Sequence, residues 1–191
     1  MSEFGKIRMV VGVCGGISSM GSPHVLYWLK QKLNLQIQVI LSPAAHRFVT
    51  PESFSDLLHQ RPLTTAEDLA PGESHVSLAR NADVIVLLPA TANTLVKLSV
   101  GLGDNLLCST VMAADCPVFL MPATSEITWN KPAVQRAVEQ LRKDGYTVVD
   151  PGPGASLATG EREVGSLGDF RKPLLEAVVA AASRSNEGDG Q

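Results

Sequence analysis

The sequence predicts a single doubly wound α/β domain on a largely parallel sheet, and three observations predict it. Short strand-like runs recur at Ile7–Val13, Gln36–Leu41, Val84–Leu88 and Cys116–Met121. The third is a continuous apolar, β-branched run, the form a strand takes when a parallel sheet buries both its faces. Helix-period segments alternate with these runs, which is the pattern of a wound sheet. Glycines, prolines and hydroxyl residues gather just after the runs, at the edge where open α/β sheets bind their ligands.

Composition bounds the function. A chain of 191 residues can bury a core without disulfides. A net charge of −3 and the absence of a basic run argue against a nucleic-acid or anionic-membrane surface. No apolar stretch reaches membrane-spanning length, and the opening residues lack a signal-peptide core. Cys14, Cys108 and Cys116 are scattered without CxxC spacing, which suits a reducing cytoplasm and gives no metal site. The expectation is a cytoplasmic protein with no nucleic-acid, membrane or metal partner.

Taken in order, the first strand (Ile7–Val13) enters Cys14-Gly15-Gly16-Ile17-Ser18-Ser19, and a helix follows from about Pro23 to Leu33. Strand, glycine turn, hydroxyls and helix can cradle a phosphate, since Gly15 and Gly16 bare their N–H groups. A tight turn with no ligand carries the same pattern. The loop lacks G-x-G-x-x-G spacing and a P-loop lysine, and the second strand ends in Ser42 instead of an acidic residue. Together these favour a mononucleotide over NAD or ATP. Ser42 stands where a hydroxyl could face the crevice, or it could cap a helix, with Phe48 in the core. A short helical piece (Phe54, Leu57, Leu58) and a proline-bearing arm then lead to His75, while His24, His46 and His59 are expected at the surface.

The third strand is expected to stop at Pro89. The next residues are Ala90, Thr91, Ala92, Asn93 and Thr94, with Thr91 or Asn93 as helix cap before Leu95, Leu98 and Leu102 at helical spacing. After the fourth strand come Pro122 to Asn130, a helix at Pro132–Lys143, a last strand at Tyr146–Val149, and a final helix at about Phe170–Ala182. Residues 183–191 are expected to form a disordered tail. On these residues alone, the ligand is a small phosphorylated molecule.

The stretch from His75 to Leu107 narrows the choice. His75-Val76-Ser77-Leu78, Ala82-Asp83, Pro89-Ala90-Thr91-Ala92-Asn93-Thr94, and Gly101 with Asp104-Asn105-Leu106-Leu107 resemble, in order, the motifs of the homo-oligomeric flavin-containing cysteine decarboxylases. The likeness is strongest to the members that act on lantibiotic precursors of the epidermin type. It implies a Rossmann-like (flavodoxin-like) domain over residues 1–182 that binds FMN. The implied cofactor contacts are Gly15, Gly16, Ile17, Ser42, Phe48, Thr91, Ala92, Asn93 and Thr94. His75 is the implied catalytic residue, and Asn105, Ser125, Trp129 and Thr159 are implied on the substrate side.

The implied reaction is oxidation of a C-terminal cysteine by hydride transfer to FMN, with His75 assisting loss of the thiol proton. The thioaldehyde then lets CO2 leave, and an enethiol remains. Two departures bear on substrate. Family members carry Pro-Ala-Met-Asn-x-x-Met-Trp with the Asn on the substrate carboxylate, whereas this chain has Ser125 at the Asn and Thr128 at the second Met. The pantothenate enzymes place a proton-donating cysteine where Thr159 stands, and a hydroxyl is far too weak an acid for that step. The resemblance therefore points to a precursor peptide ending in cysteine as substrate and to trimers, or dodecamers built from them. Phosphopantothenoylcysteine decarboxylase, a non-catalytic flavin-binding regulator and a flavin prenyltransferase are the rival readings.

Overall fold

The computed structural model describes residues 7–155, 160, 162–166 and 170–188. Its centre is a parallel sheet of β1 (Arg8–Val13), β2 (Gln36–Leu41), β3 (Val84–Ala90), β4 (Val118–Pro122) and β5 (Thr147–Val148), in the order β2-β1-β3-β4-β5. Every neighbouring pair is parallel. The winding reverses between β1 and β3, and the carboxyl ends of strands at such a reversal form the ligand crevice of open α/β sheets.

Side-chain alternation splits the core into two layers. Met9, Val11 and Val13 of β1 face one side together with Val84, Val86 and Leu88 of β3. There they pack under α1 (Ser22–Leu33), α2 (Pro51–Leu58) and a C-terminal helix that begins at Arg171. Val10, Ile85 and Leu87 face the other side. They meet α4 (Ala92–Ser99), α5 (Leu106–Met112) and α7 (Pro132–Lys143), while the short α3 (His75–Arg80) lies against α5. All seven residues of β3 are buried, as a strand covered on both faces requires.

Local chemistry sets the ends. Pro23 opens α1, and Asn34 closes it in the left-handed conformation, its N–H donating to Lys30 O at 2.8 Å. Thr50, Ser74, Thr91, Asn105 and Ser125 each cap a helix with a side-chain oxygen. The last of these opens α6 (Glu126–Trp129).

Several expectations need correction. β3 continues through Pro89, because Ala90 pairs again with Pro122 after an irregularity. α4 ends at Ser99, so Leu102 is exposed: Gly101 takes φ +71° and turns the chain away. His75 begins a helix instead of ending an arm, held by a capping box between Ser74 and Ser77. The C-terminal helix α8 runs from Arg171 to Gly188, so the segment expected as a tail from Ser183 is helical at least that far. The sequence also hid an antiparallel pair, β6 (Gly152–Ala155) with β7 (Arg162–Ser166), which lies beside α6.

Candidate cofactor crevice

Three loops meet where β1, β2 and β3 end. The Cys14 N–H donates to Pro89 O at 3.1 Å, and the Ser42 N–H donates to Val13 O at 3.0 Å, so all three strand ends are tied together. The glycines allow the loops to close. A methyl group built on Gly15 would lie 2.4 Å from the backbone of Ala44, and one on Gly16 would lie 3.6 Å from Thr91 Cγ2. Gly15, Gly16, Ser42 and Thr91 are thereby brought to one place.

Gly16 is extended and leads into a 3-10 turn at Ile17–Gly21, where Ile17 is exposed. The turn's hydroxyls are occupied more than the sequence suggested. Ser19 is buried and donates to Gly16 O at 2.6 Å, while Ser22 donates to Leu88 O at 3.1 Å. Neither is free for a phosphate.

Ser42 is different. It precedes the 3-10 turn Pro43–Arg47 without making a side-chain cap bond. Among the described residues, its Oγ is the buried side-chain polar atom that has no partner. Such a group costs about 1–3 kcal/mol until something satisfies it. The simple capping role is thus ruled out, and a ligand atom would relieve the cost. Phe48 is half-buried and belongs to neither core cluster, with the Arg47 guanidinium 5.9 Å from its ring centre.

On the third loop, Thr91 is the α4 cap: its Oγ1 accepts from the Thr94 N–H at 3.4 Å and lies 3.2 Å from Thr94 Oγ1. Asn93 is exposed, Ala92 packs partly on the second core, and Thr94 is buried. The N–H groups that this cap leaves over and a partial positive charge at the helix start suit an anion. Behind it, burial pushes the Cys14 thiol up to about 11, against a Thr94 hydroxyl contact and the Thr91 N–H, which pull it down.

The other expected residues lie on neighbouring elements. His75, at the first position of α3, is exposed, and its imidazole makes no hydrogen bond or ion pair among the described residues. Asn105 caps α5, accepting from the Cys108 N–H at 3.0 Å and donating to Asp104 at 2.8 Å. Asp104 in turn meets Lys97 Nζ at 2.5 Å, and that lysine holds its carboxyl below the usual range. Ser125 caps α6 and lies 2.9 Å from Thr128 Oγ1. Trp129 is buried in the second core, with its carbonyl accepting from Gln135. Glu126 is exposed to solvent. Thr159 lies outside the described residues. An open cleft lined by Arg8, Gln36, Gln38 and Glu73 sits at the other end of the strands and holds none of these residues.

Sequence reasoning missed the tie between Cys14 and the Thr91–Thr94 turn. It also missed Gly12, whose lack of a side chain admits Leu107: a methyl there would lie 2.4 Å from Leu107 Cδ1. A glycine inside an otherwise apolar strand was the available signal for that close approach.

The flavoprotein family model matches residues 1–182. The chain belongs to the flavoprotein family. Its relatives include mersacidin decarboxylase of Bacillus sp. (strain HIL-Y85/54728), 32% identical over 82% of this chain and 80% of that protein. Another is the coenzyme A biosynthesis bifunctional protein CoaBC of Bacillus subtilis (strain 168), 38% identical over 77% of this chain but only 36% of its own length. Among solved structures, the FMN-dependent cysteine decarboxylase SpaF superposes with a TM-score of 0.85 at 39% identity, covering 94% of this chain and 99% of that one. TvaF, an FMN-dependent cysteine decarboxylase from thioviridamide biosynthesis, gives 0.77 at 32% identity over 93% and 99%. The crevice of this flavoprotein fits a flavin phosphate: a close-packed glycine loop, a capped helix start, and in Ser42 a buried hydroxyl lacking a partner.

Proposed function

We propose that the protein is an FMN-dependent cysteine decarboxylase, which converts the C-terminal cysteine of a ribosomal precursor peptide to an aminoenethiol. The observation that carries the reading is the orphan Ser42 hydroxyl, beside a glycine loop whose other side meets the start of α4, in a flavoprotein-family chain similar to SpaF along nearly its whole length.

FMN, when bound, supplies a two-electron oxidant, and the protein supplies binding, orientation and proton handling. Gly15 and Thr91 offer donors to the phosphate, Gly16 leaves room for it by lacking a side chain, and Ser42 and Phe48 face the remainder of the cofactor. His75, whose imidazole has no partner among the described residues, accepts the substrate thiol proton. Ser125 and Thr128 present a hydroxyl pair to the peptide's terminal carboxylate, beside the β6–β7 hairpin. Thr159, beyond the described part of that hairpin, has no acidic proton to return to the enethiol, so the reaction stops there.

The active unit in this reading is a homo-oligomer, a trimer or a dodecamer built from trimers. Support comes from the exposed apolar side chains of Val76, Val100, Leu102 and Met112 on and around α3, α4 and α5. The cytoplasm is the proposed location. All three cysteines are buried and outside any disulfide, and no helix among the described residues is long and apolar enough to cross a membrane.

The test is a flavin absorbance spectrum of the purified protein, followed by mass spectrometry of a cysteine-terminated peptide incubated with it. The expected product has lost one CO2 and two hydrogens. His75→Asn is expected to keep the flavin and abolish that loss; full activity in this variant would remove His75 from the mechanism. The 38% identity to CoaBC favours a second reading, decarboxylation of phosphopantothenoylcysteine. Turnover of that compound to a fully reduced thiol would select it.

A further inference from the structure

We propose that Ser77 is a positioning residue for His75: its hydroxyl ties down the first turn of α3 and so fixes where the imidazole stands when it takes the substrate thiol proton. The proposal rests on the reading of His75 as that base.

Packing does not hold this turn. α3 has six residues, too few for a helix to persist unaided in water. Its grip on the body of the protein begins late. Leu78 packs partly against the second core and Ala79 is fully buried, whereas His75 and Val76 are exposed. His75 therefore stands at the end of the helix that would fray first.

Hydrogen bonds hold it instead, and Ser77 makes most of them. Its Oγ accepts the Ser74 N–H at 2.8 Å and donates to the Ser74 carbonyl at 2.9 Å. Its own N–H donates to Ser74 Oγ at 3.2 Å. The one hydrogen of the Ser77 hydroxyl is thus engaged on the residue just before His75. The Leu78 N–H joins it on the same carbonyl at 2.9 Å. Upstream the chain is closed in a similar way. The Glu73 N–H donates to Ala70 O at 2.9 Å, and the Glu73 carboxylate accepts the Ala70 N–H at 3.2 Å, across a turn in which Gly72 takes φ +86°. The imidazole makes no hydrogen bond of its own among the described residues, so the backbone beneath it sets its place. A base has to stand within hydrogen-bond reach of its proton, and a misplacement of about 1 Å costs about a hundredfold in rate.

The experiment compares Ser77→Ala, Ser77→Thr and Thr65→Ala as flavin-loaded proteins, by thermal melting, by hydrogen exchange at the start of α3 and by kinetics on a cysteine-terminated peptide. Thr65 closes the same kind of box with Asp68, at a 3-10 turn (Ala66–Asp68) in the preceding arm. Ser77→Ala is expected to exchange faster at residues 74–78 and to lose about tenfold in kcat, with flavin content and KM unchanged. Ser77→Thr, which keeps the hydroxyl, is expected to restore both slow exchange and kcat. Thr65→Ala is expected to melt lower, as Ser77→Ala does, and to keep its kcat. Ser77→Cys, a weak donor and acceptor at the same place, serves if Ser77→Ala does not fold, with kcat expected between those of serine and alanine. Unchanged exchange or unchanged kcat on loss of the hydroxyl, a loss confined to KM, or an equal loss of kcat in Thr65→Ala would overturn the proposal. Full activity of His75→Asn would instead overturn the reading of His75 as the base.

Discussion

Gly15 and Ala44 share a space with no room for another carbon. A methyl group at residue 15 would lie 2.4 Å from the Ala44 carbonyl carbon and oxygen, atoms of the backbone that cannot rotate away. Gly15→Ala must therefore push the first loop off the Ser42–Arg47 segment. The expected result is destabilisation by about 1–3 kcal/mol and a preparation with little or no flavin, read by thermal melting and by the ratio of visible to ultraviolet absorbance.

Ser42→Ala separates fold from ligand. Its hydroxyl is buried without a partner, so removing it relieves the apoprotein of a desolvated group. The apo melting temperature is expected to hold or rise, while affinity for FMN falls by about an order of magnitude, as for loss of a single hydrogen bond to a charged group. A parallel loss of both would assign Ser42 to the fold alone.

At Ser125 the two candidate roles can be pulled apart. Its hydroxyl caps α6, so Ser125→Ala is expected to cost about 0.5–2 kcal/mol in stability. Ser125→Asn keeps a capping oxygen and adds an amide that can donate to a carboxylate. It should melt like the unaltered protein and show a lower KM for the cysteine-ended peptide, measured by product mass against peptide concentration.

Asp68 yields a pH signature. Hydrogen bonds from the Thr64 hydroxyl, and from the Thr65 and Thr64 N–H groups, hold its carboxyl below the usual range. A group depressed in the folded state contributes stability above its unfolded value and loses it as pH falls through the folded one. Asp68→Asn should therefore melt lower at neutral pH, and the two melting curves should converge as the pH is taken below about 4.

Much of this architecture was legible because burial on both faces leaves an apolar run that composition alone reveals. β2 and α7 begin and end where their residues predicted. The β6–β7 hairpin was not legible: Gly152-Pro153-Gly154-Ala155 shows neither alternation nor β-branched residues, so its pairing is imposed from outside the segment. The crevice glycines and Thr91 could be read, since loop chemistry is local. Ser42 could not be settled from sequence, because a cap and an unsatisfied hydroxyl look alike until the neighbours are placed. Trp129 reads as a site residue in its motif and is a core residue in space.

The notch at Gly12 has its own consequence. Leu107, which stands at the end of the Asp104-Asn105-Leu106-Leu107 run, fills the volume that a side chain on β1 would need. Two positions remote in sequence thus compete for the same few cubic ångströms, and enlarging one obliges the other to shrink. An alanine at 12 should be tolerated best in a background where 107 has been trimmed to valine. Anyone redesigning this floor would have to treat the pair as one letter.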